Sequence, residues 1–132
     1  MREEIAQIYD AFEGKLIGTR FMKRQVCEVL LLMPKKIINY VTSKCWFLAS
    51  MDDAWAFAFT GNDLKDSHMI FLSDDLLSQD LGQIRYSIAH EIGHVVLGHR
   101  NSILAKQTKQ EVKKQENEAD KFAKQYLVQS AS

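Results

Sequence analysis

The pentapeptide His90-Glu91-Ile92-Gly93-His94 constrains this chain more than any other stretch. In an α-helix, residues four apart lie one turn above each other on one face, with Cβ atoms about 6 Å apart. Two imidazoles in that relation can reach one metal ion. Glu91 projects beside them, where a water on that ion would stand and where a carboxylate can act as general base. The flanks predict a helix from about Gly82 to Leu97. Ile84, Ile88, Val95 and Val96 recur at helical spacing, Ser78 or Asp80 caps the start, and Gly98 supplies a stop. The same apolar flanks predict burial, and buried imidazoles and carboxylates need partners. A divalent cation is one such partner; backbone carbonyls around two core histidines are the other. The pentapeptide fixes only three positions, so the choice falls to residues elsewhere in the chain.

Length and composition bound the rest. The 132 residues predict one domain, 1–132, with a real core, and the charges balance to zero. A balanced charge argues against direct nucleic-acid binding, which favours a basic excess. The start, Met1-Arg2-Glu3-Glu4, leads into an amphipathic stretch and lacks a signal-peptide apolar region. The longest apolar run, Val29 to Met33, is far too short to span a bilayer. Cys27 and Cys45 have no metal-ligand spacing and read as reduced thiols, which places the chain in the cytoplasm with no membrane association.

Helical periodicity opens the chain. Ile5, Ile8, Tyr9 and Phe12 predict a core-facing helix over residues 2–13, ended by Gly14. Thr19 caps a second helix carrying Met22, Val26, Val29, Leu30 and Met33. Pro34 stops that helix or opens a third, which carries Ile37, Ile38 and Val41. At Cys45 the period changes. Cys45 to Ser50 reads as a strand, Met51-Asp52-Asp53 as a turn, and Trp55, Phe57 and Phe59 alternate with alanines as a second strand. These two runs are expected to pair as a hairpin whose aromatic face packs on helices. Gly61-Asn62-Asp63 is a further turn, and His68 to Leu72 a short third strand running into a Ser73-Asp74 cap. After the His90 helix comes a solvated stretch, Lys106 to Lys114, and a last helix with Val112, Ala119, Phe122, Ala123, Tyr126 and Leu127 on its core face. Helices, then a small, mainly antiparallel three-stranded sheet, then helices make an α+β fold.

The H-E-x-x-H spacing is the one that zinc metallopeptidases use, and a catalytic zinc commonly takes three protein ligands. Candidates for the third are His68, His99 and the carboxylates of Glu116-Asn117-Glu118-Ala119-Asp120. A third histidine six residues after the second, following a glycine, is absent: Arg100 and Leu97 occupy those positions. His99 lies past the expected helix end. At 100° per residue, Glu116 falls roughly 50° from the core direction of the last helix and Glu118 roughly 110°. Glu116 therefore looks inward and is expected as third ligand. Asp120, one turn on, can accept a hydrogen bond from the far ring nitrogen of a ligand histidine.

Two separated segments carry a family resemblance. HEIGH followed, after a polar gap, by ENEADKFA resembles the glutamate-zincins, and most closely the ImmA/IrrE-type metallopeptidases. That family pairs H-E-x-x-H with a helix of the form E-x-x-A-[DN]-x-F-A, matched here by Glu116, Ala119, Asp120, Phe122 and Ala123. The strand Met69-Ile70-Phe71-Leu72-Ser73 also resembles the family's edge strand. The similarity covers about the second half of the chain. Family members commonly continue into a Leu-Leu-Met-Pro-like segment, where this chain has Lys124-Gln125-Tyr126-Leu127-Val128, and many carry a DNA-binding or sensor domain not found here. The resemblance implies a zincin-like core with Zn2+ on His90, His94 and Glu116, Glu91 as catalytic base, and a peptide laid along Met69, Ile70 and Phe71. It also implies a protein substrate, such as a helix-turn-helix repressor in a stress or mobile-element system. Tyr40, His68, Tyr86 and Tyr126 are chemically able to donate to an oxyanion. The competing expectation is a binding module whose metal is structural.

Overall fold

The computed structural model describes residues 3–50, 56–59, 68–98 and 109–131. Along the chain run α1 (Glu3–Ala11), β1 (Leu16–Ile17), α2 (Arg20–Leu31), α3 (Lys35–Lys44), β2 (Cys45–Ser50), β3 (Ala56–Phe59), β4 (His68–Ser73), α4 (Asp74–Leu77), α5 (Leu81–Val96) and α6 (Lys109–Ala131). The fold is α+β and mostly helical.

Short polar side chains set the helix starts. Thr19 Oγ1 accepts from the Met22 amide at 3.1 Å, Ser73 Oγ from Leu76 at 3.1 Å and Asp80 Oδ1 from Gln83 at 2.8 Å. Each bond satisfies an amide that the first turn leaves without a helical partner, worth about 1 kcal/mol. Pro34 stands at the N-cap of α3. Glu13 and Gly14 take positive φ, 50° and 86°, and turn the chain from α1 into β1. Gly98, at φ 71°, closes α5, its amide bonding the Val95 carbonyl at 3.2 Å.

The sheet order is β1-β2-β4-β3. β1, β2 and β4 run parallel, and β3 alone is antiparallel, paired with β4. The expected hairpin of β2 with β3 does not form, because β4 lies between them. The expectation of a mainly antiparallel, three-stranded sheet is corrected with it. The reason is visible in the residues. Cys45-Trp46-Phe47-Leu48 and Met69-Ile70-Phe71-Leu72 are near-continuous apolar runs, which suit strands in the interior of a sheet, although Trp46 on the second face of β2 is 38% exposed. Both flanks of β4 are therefore occupied, by Cys45–Ser50 on one side and Ala56–Phe59 on the other. Met69, Ile70 and Phe71 do not form an edge. The turns expected at 51–53 and 61–63, and Trp55, lie outside the described residues.

One sheet face is covered. Leu16, Cys45, Phe47, Ile70 and Leu72 are buried and join Phe12, Met22, Val26, Val29, Leu30 and Val41 in the core. On the α1 stripe Ile5, Ile8 and Phe12 are buried, but Tyr9 is 44% exposed. Val112 is likewise exposed, because the first two turns of α6 extend beyond the core. The hub is α5, which packs against α2, α3, α4, α6, β3 and β4. Its buried face carries Ile84, Ile88, Ala89, Ile92 and Val95. Arg85 ties it laterally, donating from Nε to Gln25 Oε1 of α2 at 3.0 Å. Among the described residues, no helix is long and apolar enough to cross a membrane.

Ile88 is fully buried at the centre of this hub. Ile88→Ala removes its apolar contacts and leaves a cavity, so urea denaturation should show a loss of about 2–5 kcal/mol with little change in the slope of the transition.

Candidate metal centre

The site is built from two helices. Tyr86, His90 and His94 follow one another at four-residue intervals on α5, and Glu116 and Asp120 do the same on α6. What brings the two faces together is the absence of a side chain. A Cβ on Gly93 would stand 3.0 Å from Phe122 Cδ1 and 3.2 Å from Phe122 Cβ and Cγ. Gly93 is thus a packing glycine, and Phe122 fills the space above it. The fully buried Ala89, Ala119 and Ala123 add little bulk to the helices on either side of this contact.

At that spacing three donor atoms converge. His90 Nε2 lies 3.2 Å from His94 Nε2 and 2.8 Å from Glu116 Oε2, and His94 Nε2 lies 3.1 Å from Glu116 Oε1. One donor atom from each residue falls within 4.8 Å of the others, an arrangement able to hold a metal ion. A tetrahedral ion with bonds of about 2.0–2.1 Å sets its donors roughly 3.3 Å apart, close to these separations. The three residues expected as ligands are brought together. His68 is not among them: it is buried at the start of β4 with Nε2 2.9 Å from the Tyr40 hydroxyl. Glu118 is exposed, as its angle on the helix predicts. His99 lies outside the described residues.

Asp120 stands behind His90, with Oδ1 2.9 Å from Nδ1. This is a close contact rather than a hydrogen bond, since the buried His90 Nδ1 has no hydrogen-bond partner among the described residues, so it orients the ring without fixing its tautomer. The Tyr86 hydroxyl donates to the same Asp120 oxygen. Burial and the neighbouring Asp120 and Glu116 raise its pKa to about 12, so it remains a donor at neutral pH. The i, i+4 relation of Tyr86 to His90 was the sequence signal for this contact.

Glu91 is 8% exposed, and its Oε2 is buried without a hydrogen-bond partner among the described residues. Burial, with a smaller contribution from the charge of Glu116, raises its pKa from 4.5 to about 7. An unpartnered buried carboxylate oxygen beside converging imidazoles fits a site completed by a cation and water. Glu116, by contrast, is 52% exposed at its side chain, so the cluster is open to solvent on one side.

Residues 81–132 match the family model for Peptidase U49. That segment is less than half of the chain, yet it contains α5, α6 and every member of the cluster. The match supports a peptidase; it does not single out the ImmA/IrrE type. No curated protein and no solved structure matches the chain.

Two outcomes follow from this geometry. Gly93→Ala should force Phe122 outward, lowering stability by about 1–3 kcal/mol and weakening metal binding together. Pairing it with Phe122→Leu should recover part of both in denaturation and metal titration. The second concerns metal-free protein. Between roughly pH 4.5 and 7 the folded state keeps a proton on Glu91 that the unfolded chain releases, so this residue lowers stability as pH rises through that window. Glu91→Gln should remove that slope, and the chelator-treated variant should exceed the parent by up to about 3 kcal/mol at pH 8.

Proposed function

We propose that this chain is a zinc-dependent endopeptidase with a zincin-like core, working in the reducing cytoplasm. The carrying observation is the convergence of His90, His94 and Glu116 with Glu91 beside them, in the segment that matches Peptidase U49. Two imidazole nitrogens and one carboxylate are a donor set of catalytic zinc sites, and an accessible fourth side suits catalysis better than a closed structural centre. Free, buried Cys27 and Cys45 are consistent with a reducing compartment.

Zinc bound there supplies Lewis acidity, polarising a carbonyl and acidifying water. The protein's own groups do the rest. Glu91 takes a proton from the attacking water and returns it to the leaving amide nitrogen. Water adds to the carbonyl carbon, the C–N bond breaks, and the products are a carboxylate and an amine. Asp120 keeps the His90 ring turned to the site. Substrate recognition shifts one strand from the original expectation. With Met69, Ile70 and Phe71 inside the sheet, the outer edge of Ala56–Phe59, a strand packed against α5, is where an extended peptide adds by backbone hydrogen bonds. The resemblance to ImmA/IrrE-type enzymes makes a DNA-binding repressor the first protein substrate to test.

Metal analysis and a cleavage assay separate the roles. Glu91→Gln should keep zinc and lose about 10²–10⁴-fold in cleavage rate. Glu116→Ala should lose most of its zinc, and Glu118→Ala should keep it. An emptied site in Glu118→Ala, with zinc retained in Glu116→Ala, would reject the ligand assignment.

A further inference from the structure

The Tyr86 hydroxyl has two possible uses near a peptidase centre: donation to the reacting carbonyl, or support of the groups that hold the metal. The geometry separates them. The hydroxyl is bonded to Asp120 Oδ1, the same oxygen that lies 2.9 Å from His90 Nδ1. Glu116 and His94 face the other ring nitrogen, Nε2. The His90 imidazole therefore stands between the Tyr86 hydroxyl and the converging donors. The tyrosine ring flanks that imidazole, with centroids 5.8 Å apart and planes inclined by 51°.

Asp120 needs support. Its side chain is 38% exposed, so water competes for its oxygens and a carboxylate on a helix surface has several rotamers to occupy. Only one of them places Oδ1 against His90. A donor fixed on α5 selects that rotamer, because the Tyr86 hydrogen bond holds the same oxygen that lies against His90 Nδ1. Ring contact alone, as a phenylalanine would provide, cannot do this.

We propose that Tyr86 is a positioning residue that holds Asp120 against His90 and, through that contact, sets the ring orientation of His90. The proposal rests on the metal-centre reading above and extends the support of the histidine ligand one residue outward. In this structure the same contact engages the Tyr86 hydroxyl with Asp120 rather than leaving it turned to the converging donors.

The test is a zinc-affinity cycle on the whole chain, using competition with a chromogenic chelator, for the parent, Tyr86→Phe, Asp120→Ala and the double variant. Asp120→Ala should weaken zinc binding by about 10–100-fold and Tyr86→Phe by about 5–10-fold, the lower end of the range for groups supporting a ligand. On the Asp120→Ala background, Tyr86→Phe should add less than about twofold, since its route to His90 is already gone. Zinc affinity of Tyr86→Phe within twofold of the parent, as an oxyanion donor would give, overturns the proposal. An equal loss on both backgrounds overturns it too. A parent that binds no zinc brings down the metal reading itself, and that result is visible before any variant is compared.

Discussion

The close packing of α6 on α5 at Gly93 and Phe122 governs everything else in the site, because its ligands come from two helices. A glutamate side chain spans only a few ångströms, so Glu116 reaches both imidazoles only when the helix carrying it lies near α5. Phe122 rests 3.0–3.2 Å from where a Gly93 Cβ would be, so any larger residue there has to push the Phe122 side chain back. The glycine inside H-E-x-x-H thus belongs to the assembly of the centre as much as the histidines do. Its cost in helix propensity, about 1 kcal/mol relative to alanine, is offset by the contact it permits.

Such packing concentrates unfavourable electrostatics. Glu91 is buried with one oxygen unpartnered, and Glu116 presents both oxygens to the paired imidazoles. Burial, with a smaller contribution from the charge of Glu116, holds the Glu91 pKa up at about 7 in the metal-free protein. A divalent ion offers relief, and anything that binds the folded state alone also stabilises it. Metal affinity and fold stability are therefore coupled here through the same few side chains.

The parts of the molecule that could be read from sequence are those written locally. Thr19, Ser73 and Asp80 cap helices by bonds to residues three positions on, so their roles follow from near neighbours alone. The same holds for the ligand faces: four-residue spacing on α5 and on α6 needs only the helical period. Strand order is different. Nothing within Cys45–Ser50 states that its partners are Leu16–Ile17 and His68–Ser73 rather than the next strand in the chain. The clue was the unbroken apolar run, which suits an interior parallel strand better than a hairpin arm. Tyr9 and Val112 mark a second limit. A periodic stripe gives the direction of a face but not how wide or how far along the helix the core extends: Tyr9 is exposed between buried Ile8 and Phe12, and Val112 lies in turns of α6 beyond the core. Tyr86 lay on the right face, yet its acceptor is 34 residues away.

A helix that presents two ligands must also be fixed about its own axis, since a turn of a few tens of degrees would swing both imidazoles away from Glu116. The apolar stripe of α5 resists such rotation only softly, because dispersion contacts are numerous but individually weak and undirected. Directed bonds are stiffer. Arg85 reaches Gln25 on α2, and Tyr86 reaches Asp120 on α6. Consecutive residues point about 100° apart, so these two bonds pull α5 in different directions and toward different helices. Rotation in either sense stretches one of them. His90 follows one turn after Tyr86 and His94 one turn further, so the azimuth set at 85–86 carries directly to the ligands. The pair of polar ties one turn ahead of the histidines fixes the azimuth at which the His90-His94-Glu116 cluster, able to hold a metal ion, comes together.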